Sequence, residues 1–202
     1  MGTLSNPLVV LASASPRRHE LLSQIGIAPR IWVSNVPEVP ALSESPRDYT
    51  ERIACTKAAA AALQFPAAVV IAADTAVALG DEIFGKPRDR AEASAMLRRL
   101  AGREHQVFSA VAVWREGRML SAVSASRVRF CDLSESQIAA YCASGEPDDK
   151  AGSYGIQGLA AVFVEALNGS YSGVVGLPLF ETAVLLRRHG VEILNPAGPQ
   201  YV

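Results

Sequence analysis

Short apolar runs alternate with helical stripes along the chain, and that alternation predicts an α/β fold. Leu8, Val9, Val10, Leu11 and Ala12 are apolar without a break, as in a buried strand. Ser15 follows as a helix cap with Pro16 at the first helical position; Leu21, Leu22 and Ile25 supply the stripe, and Gly26 ends it. A second strand is expected over 30–34. Ser45-Pro46 repeats the start signal for a long helix through Tyr49, Ile53, Lys57 and Ala60, broken near Pro66. Residues 68–73 read as a third buried strand, with Asp74 and Thr75 delivered at its C-terminal end.

Further along, 76–79 and 82–84 flank Gly80-Asp81 as a hairpin. Asp89 caps a helix running to Leu100, and 105–115 and 118–130 form a long hairpin around Glu116-Gly117. Ser134 and Gln137 make a capping box for a helix ending at Gly145. A strand over 161–167, a turn at Asn168-Gly169 and a helix over 178–189 complete the pattern. The tail from about residue 195 carries two prolines and a glycine and is expected to be loose. With no repeat and no linker, residues 1–202 are expected to form a single domain.

Composition narrows the picture. The chain is 50% hydrophobic and 19% charged, which supports a large core and excludes wholesale disorder. Its 33 alanines suit closely packed helices. The 19 basic and 20 acidic side chains leave a net charge of −1, so no nucleic-acid partner is expected. Cys55, Cys131 and Cys142 are odd in number and lack CxxC spacing. They argue against a disulfide framework or zinc site, read as small core residues, and place the chain in the cytoplasm. No apolar run approaches the ~20 residues of a membrane span, and the first apolar stretch is too short for a signal peptide.

Four segments place polar groups at the ends of apolar elements, where α/β folds build sites. Ser13-Ala14-Ser15-Pro16-Arg17-Arg18 joins hydroxyls, the free N–H groups of a helix start and two guanidiniums, all suited to phosphate. Asp74 can bind a divalent cation or accept a proton from water. Gly85-Lys86-Pro87 fixes a loop beside one cation, and it lacks the remaining residues of a Walker A motif. The fourteen residues 145–158 hold four glycines and Gln157, as in a loop shaped around a ligand. Lys57 lies on the inner face of its helix, where it either snorkels outward or reaches a site. Taken singly, each segment also fits ordinary caps, turns and solvated charges. His19, His105 and His189 are scattered, without metal-ligand spacing.

The combination is more specific. The run Ser13 through Leu22 resembles the opening signature of the Maf family of nucleoside triphosphate pyrophosphatases. The resemblance continues in order through Ala54-Cys55-Thr56-Lys57-Ala58, Ala73-Asp74-Thr75, Gly85-Lys86-Pro87 and His105-Gln106-Val107. Asp149-Lys150-Ala151-Gly152 through Gly158, Gly169-Ser170-Tyr171 and Val174 through Leu179 close the series. It implies a long mixed sheet between helices, with the nucleotide in a cleft between two lobes. It also implies hydrolysis of dTTP or UTP to monophosphate and pyrophosphate with a divalent cation (Mg or Mn), and a homodimer.

Asp74 matches the family's proton acceptor, with Lys86 beside it as the second catalytic residue. Ser13, Arg18, Glu38, Lys57 and Lys86 match positions that line the phosphate site. Arg17, Thr75 and Gln157 fall where the family sorts substrates, and the 7-methyl-GTP branch carries tryptophan in place of Arg17. Glu38 and Asp74 are the implied metal ligands, although Pro37 stands where the family often has a second acidic residue. Two other readings are a house-cleaning pyrophosphatase for modified nucleotides and a nucleotide-binding regulator of cell division and septum formation.

Overall fold

The computed structural model describes residues 7–191 and residue 193; the tail from residue 195 lies outside the described residues. β1 (Val9–Leu11) leads into α1 (Pro16–Gln24), followed by β2 (Arg30–Ile31) and α2 (Pro46–Gln64). β3 (Val69–Leu79), β4 (Glu82–Phe84), α3 (Arg90–Leu100), β5 (Glu104–Arg115), β6 (Arg118–Phe130) and α4 (Glu135–Ala143) come next. Three 3₁₀ turns then lead to β7 (Val164–Asn168), α5 (Tyr171–Val175) and α6 (Leu179–Arg188). The described strands form one mixed sheet in the order β2-β1-β3-β5-β6-β7, with β4 also paired to β3. β1 runs parallel to both neighbours, while the other pairings are antiparallel. The chain is therefore the expected α/β fold, a long mixed sheet flanked by helices.

Alanine sets how closely the helices approach. On one face, Ala54, Ala58, Ala61 and Ala62 of α2 pack on Val70, Ala72, Ala110 and Ala112 of β3 and β5. Small side chains on both surfaces bring the α2 axis close to the sheet, within reach of a lysine. On the opposite face, Leu21 and Leu22 of α1 and Leu185 and Leu186 of α6 cover Leu11, Ile71, Ala73 and Val111. A third cluster gathers Leu97 and Leu100 of α3, Ile138 and Tyr141 of α4, Phe130 and Tyr154.

β3 corrects one expectation. It continues through Asp74 and Thr75 to Leu79, so the pair sits in mid-strand and not at a strand end. Ala76-Val77-Ala78-Leu79 is apolar enough to extend the strand, and β5 pairs with it from Val70 to Ala78. The other edge of β3 is divided. β1 pairs only as far as Leu11↔Ile71, and β4 begins at Val77↔Phe84. Among the described residues, that edge has no strand partner between these pairings. This notch lies at the carboxyl end of β1, where β3 has a parallel neighbour on one side and an antiparallel one on the other.

Smaller corrections have local causes. The second strand is two residues long because β1, the strand it pairs with, ends at Leu11, opposite Ile31. The strand expected over 161–167 starts at Val164, since Leu159–Phe163 forms a 3₁₀ turn. Tyr171–Val175 is an additional short helix, capped by the Ser170 hydroxyl. Cys142 is buried, whereas Cys55 and Cys131 are only partly so, and all three are free.

Candidate active site

The segment after β1 turns into α1 across the notch. Ser13 Oγ accepts from the Ser15 N–H (3.2 Å) and from Arg18 Nη1 (3.0 Å). Arg18 also donates from Nε to the Gly176 carbonyl (2.9 Å) and from Nη2 to Thr75 Oγ1 (3.4 Å). Thr75 Oγ1 lies 2.9 Å from Ser109 Oγ, its register partner on β5. Alternation along β3 sends Thr75 toward α1 and α5, and Asp74 toward α2.

Asp74 is 5% exposed and Lys57 is 6% exposed. Lys57 Nζ donates to Asp74 Oδ1 at 2.7 Å and pairs with Glu38 Oε1 at 2.8 Å, so one ammonium joins two carboxylates. Lys57 therefore reaches a site instead of snorkelling outward. Burial pushes the Asp74 carboxyl above the ordinary aspartate range, with Lys57 and Arg18 pulling the other way. Tyr49, whose hydroxyl donates to the Glu38 carbonyl at 3.3 Å, is pushed up to about 12 by burial and by Asp74 and Glu38.

These groups line a cavity of about 940 Å³. The structure brings Ser13, Arg17, Arg18, Glu38, Lys57, Asp74, Thr75, Lys86 and Gln157, the residues expected at a site, to its wall. Lys86 is exposed and has no ion-pair partner among the described residues. Its loop is held from the far side, because the Gly152 N–H donates to the Gly85 carbonyl at 3.1 Å. Gly152 has a φ of +66° and a Cβ there would lie 2.9 Å from Val77 side-chain carbons, so glycine is required on both counts.

The roles of some groups at the site depend on long-range contacts. Ser109 is reached only through strand register, while Asp149 and the Gly176 carbonyl stand in segments already quoted but gain their roles through long-range contacts. Arg17 Nη2 lies 3.8 Å from Asp149 Oδ2, and Lys150 Nζ donates to Asp149 Oδ1 at 2.8 Å. The histidines stay outside the site's chemistry. His105 pairs with the Tyr154 hydroxyl at 2.8 Å and His189 with the Val113 carbonyl at 3.2 Å.

No group of three or more His, Cys, Asp or Glu side chains is placed to cage a metal among the described residues. Glu38 and Asp74 nevertheless offer two hard oxygen donors already gathered around one cationic atom, Lys57 Nζ. Two carboxylates suit a hard, hydrated divalent cation such as magnesium. No helix among the described residues is long and apolar enough to cross a membrane.

Comparison with known proteins gives a consistent result. Residues 8–189 match the family described as Maf-like protein. A protein of Ralstonia nicotianae named dTTP/UTP pyrophosphatase is 48% identical over 93% of this chain and 97% of its own. One of the same name from Methylococcus capsulatus is 50% identical over 95% of this chain and 96% of its own. The fold resembles a HAM1 protein from Coxiella burnetii, with a TM-score of 0.50 and 17% identity over 90% of this chain and 99% of that one.

Proposed function

The chain belongs to the Maf-like protein family, and from that premise we propose that it hydrolyses dTTP and UTP to the monophosphate and pyrophosphate. The observation that carries this reading is the buried Lys57–Asp74 pair joined by the exposed Glu38, set in the wall of a cavity that also holds Arg17, Arg18 and Lys86. A triphosphate is a polyanion, and the guanidiniums, the ammonium groups and the start of α1 offer it charge and N–H donors. Pyrophosphate release needs water to attack the α-phosphorus while negative charge grows on the α–β bridging oxygen. Asp74 takes the water's proton, and its raised affinity for that proton suits the role. Lys57 keeps Asp74 ionised and aimed, and Lys86 meets the charge on the departing pyrophosphate.

Glu38 and Asp74 would hold a divalent cation (Mg or Mn) arriving with the substrate, which neutralises phosphate charge and activates bound water. Arg17, Thr75 and Gln157 face the base. Gln157 supplies a donor and an acceptor, which O4 and N3–H of uracil or thymine need, whereas cytosine reverses both groups. A proton acceptor set among cations favours turnover over a purely binding regulator. The same reading takes the chain to act in the cytoplasm as a homodimer of single-domain subunits.

A screen of canonical and modified nucleotides, with separate detection of pyrophosphate and phosphate, tests the proposal. Monophosphate and pyrophosphate from dTTP and UTP are expected. Diphosphate with free phosphate would reject the cleavage site.

A further inference from the structure

Glu146 lies outside the trio described above, yet its carboxylate gathers more donors than any other acid near the cavity. Oε1 accepts from the Tyr141 hydroxyl at 2.9 Å and from the Ala160 N–H at 3.5 Å, and Oε2 accepts from the Leu159 N–H at 2.8 Å. Tyr141 belongs to α4 and is 4% exposed, so the carboxylate is braced against the core. Leu159 and Ala160 open the 3₁₀ turn that follows Gly158. One side chain thereby ties the start of the excursion at residue 146 to the backbone just after Gly158.

Gly158 shows how tight the tie is. Its φ of −103° lies outside the left-handed region that favours glycine. A Cβ there would run into the Glu146 carboxylate, which would have to leave its position. Gln157 directly precedes Gly158 and lines the cavity. Its own side chain is exposed, so its placement depends on the backbone that carries it.

We propose that Glu146 is a positioning residue for base selection: it clamps the Gly158–Ala160 backbone and thereby fixes Gln157 against the base. The inference rests on the pyrimidine triphosphate reading above. Discrimination between O4 and an amino group depends on leaving the wrong partner unpaired, and that penalty exists only where the reading amide cannot move aside.

The test compares Glu146→Ala, Glu146→Gln and Gly158→Ala in the full chain. It measures kcat and KM for dTTP and CTP, and hydrogen exchange at the Leu159 and Ala160 amides. Glu146→Ala should accelerate that exchange and lower the dTTP-over-CTP ratio of kcat/KM by about tenfold, mostly through KM, as expected where one buried hydrogen-bonded group is lost. Glu146→Gln should restore most of the ratio, since its Oε1 accepts from Leu159 and its amide donates to the Tyr141 oxygen. Gly158→Ala should reproduce Glu146→Ala by expelling the carboxylate, and it serves if the Glu146 variant does not fold.

The inference is overturned if exchange rises while the ratio stays, if exchange is unchanged, or if dTTP and CTP lose kcat equally. Failure of the parent reading looks different: the unmodified protein would not favour dTTP over CTP, or Gln157→Glu would leave the ratio where it was.

Discussion

Asp74 sits on a central strand where a lone carboxylate would be strongly disfavoured, and it stays because Lys57 reaches it across the alanine face of α2. Replacing Asp74 by Asn keeps the shape and removes the base. Turnover should fall by about 10²-fold or more while nucleotide binding persists. A variant that retains most of its rate would pass the role to another group, with Glu38 the first to examine. Burial raises the Asp74 carboxyl and Lys57 lowers it. The acid limb of kcat/KM should therefore lie above the ordinary aspartate range, and Lys57→Met should move it to still higher pH. A limb that moves down, or does not move, would mean that Asp74 is not the group being titrated. Residue types and order made Asp74, Lys57 and Arg18 visible in the sequence. Ser109 and Glu146 were not, because their significance lies in what the fold brings to them.

At the level of elements, caps and turns were the most legible features, since their chemistry is local. Ser134 shows this: its Oγ accepts from the Gln137 N–H (3.3 Å) while Gln137 Oε1 accepts from the Ser134 N–H (2.8 Å), the reciprocal pair expected from the spacing. Ser134→Ala should lower stability by about 1 kcal/mol without changing kcat/KM, readable as a shift of the urea midpoint at constant slope. A change in kcat/KM would tie α4 to the site more directly than its position implies. The limits of β3 were less legible. Asp74 and Thr75 look like a strand end, and only pairing with β5 on one edge and with β4 beyond the notch carries the strand through them. A buried ion pair supplied from another element cannot be read from the strand's own residues.

For the molecule as a whole, the third core cluster carries a pH liability. His105 is 2% exposed, stacks edge-on against Phe130, and its Nδ1 has no partner among the described residues. Burial drops its affinity for protons to about 4. The unfolded chain gains a proton as pH falls through about 6.5, but the native state resists until about 4. Stability should thus be lost across that window, by on the order of 3 kcal/mol at its acid end. Urea titrations at several pH values check this, and in His105→Leu that part of the slope should vanish. An equal slope in both proteins would place the titrating group elsewhere. The sheet's mixed topology has a separate consequence, for the order in which the molecule assembles and fails. The β5–β6 hairpin zips from Arg115↔Arg118 outward through contacts adjacent in sequence, whereas β1 must find β3 from beyond two intervening helices. Closing that larger loop is entropically later and slower. The antiparallel β5–β6 part of the sheet therefore stands first, and β1 with the start of α1, which lines the cavity, arrives last. On mild heating the reverse order is expected, the β1–α1 strap releasing before the antiparallel half, so that activity should fade before the bulk of the fold is lost.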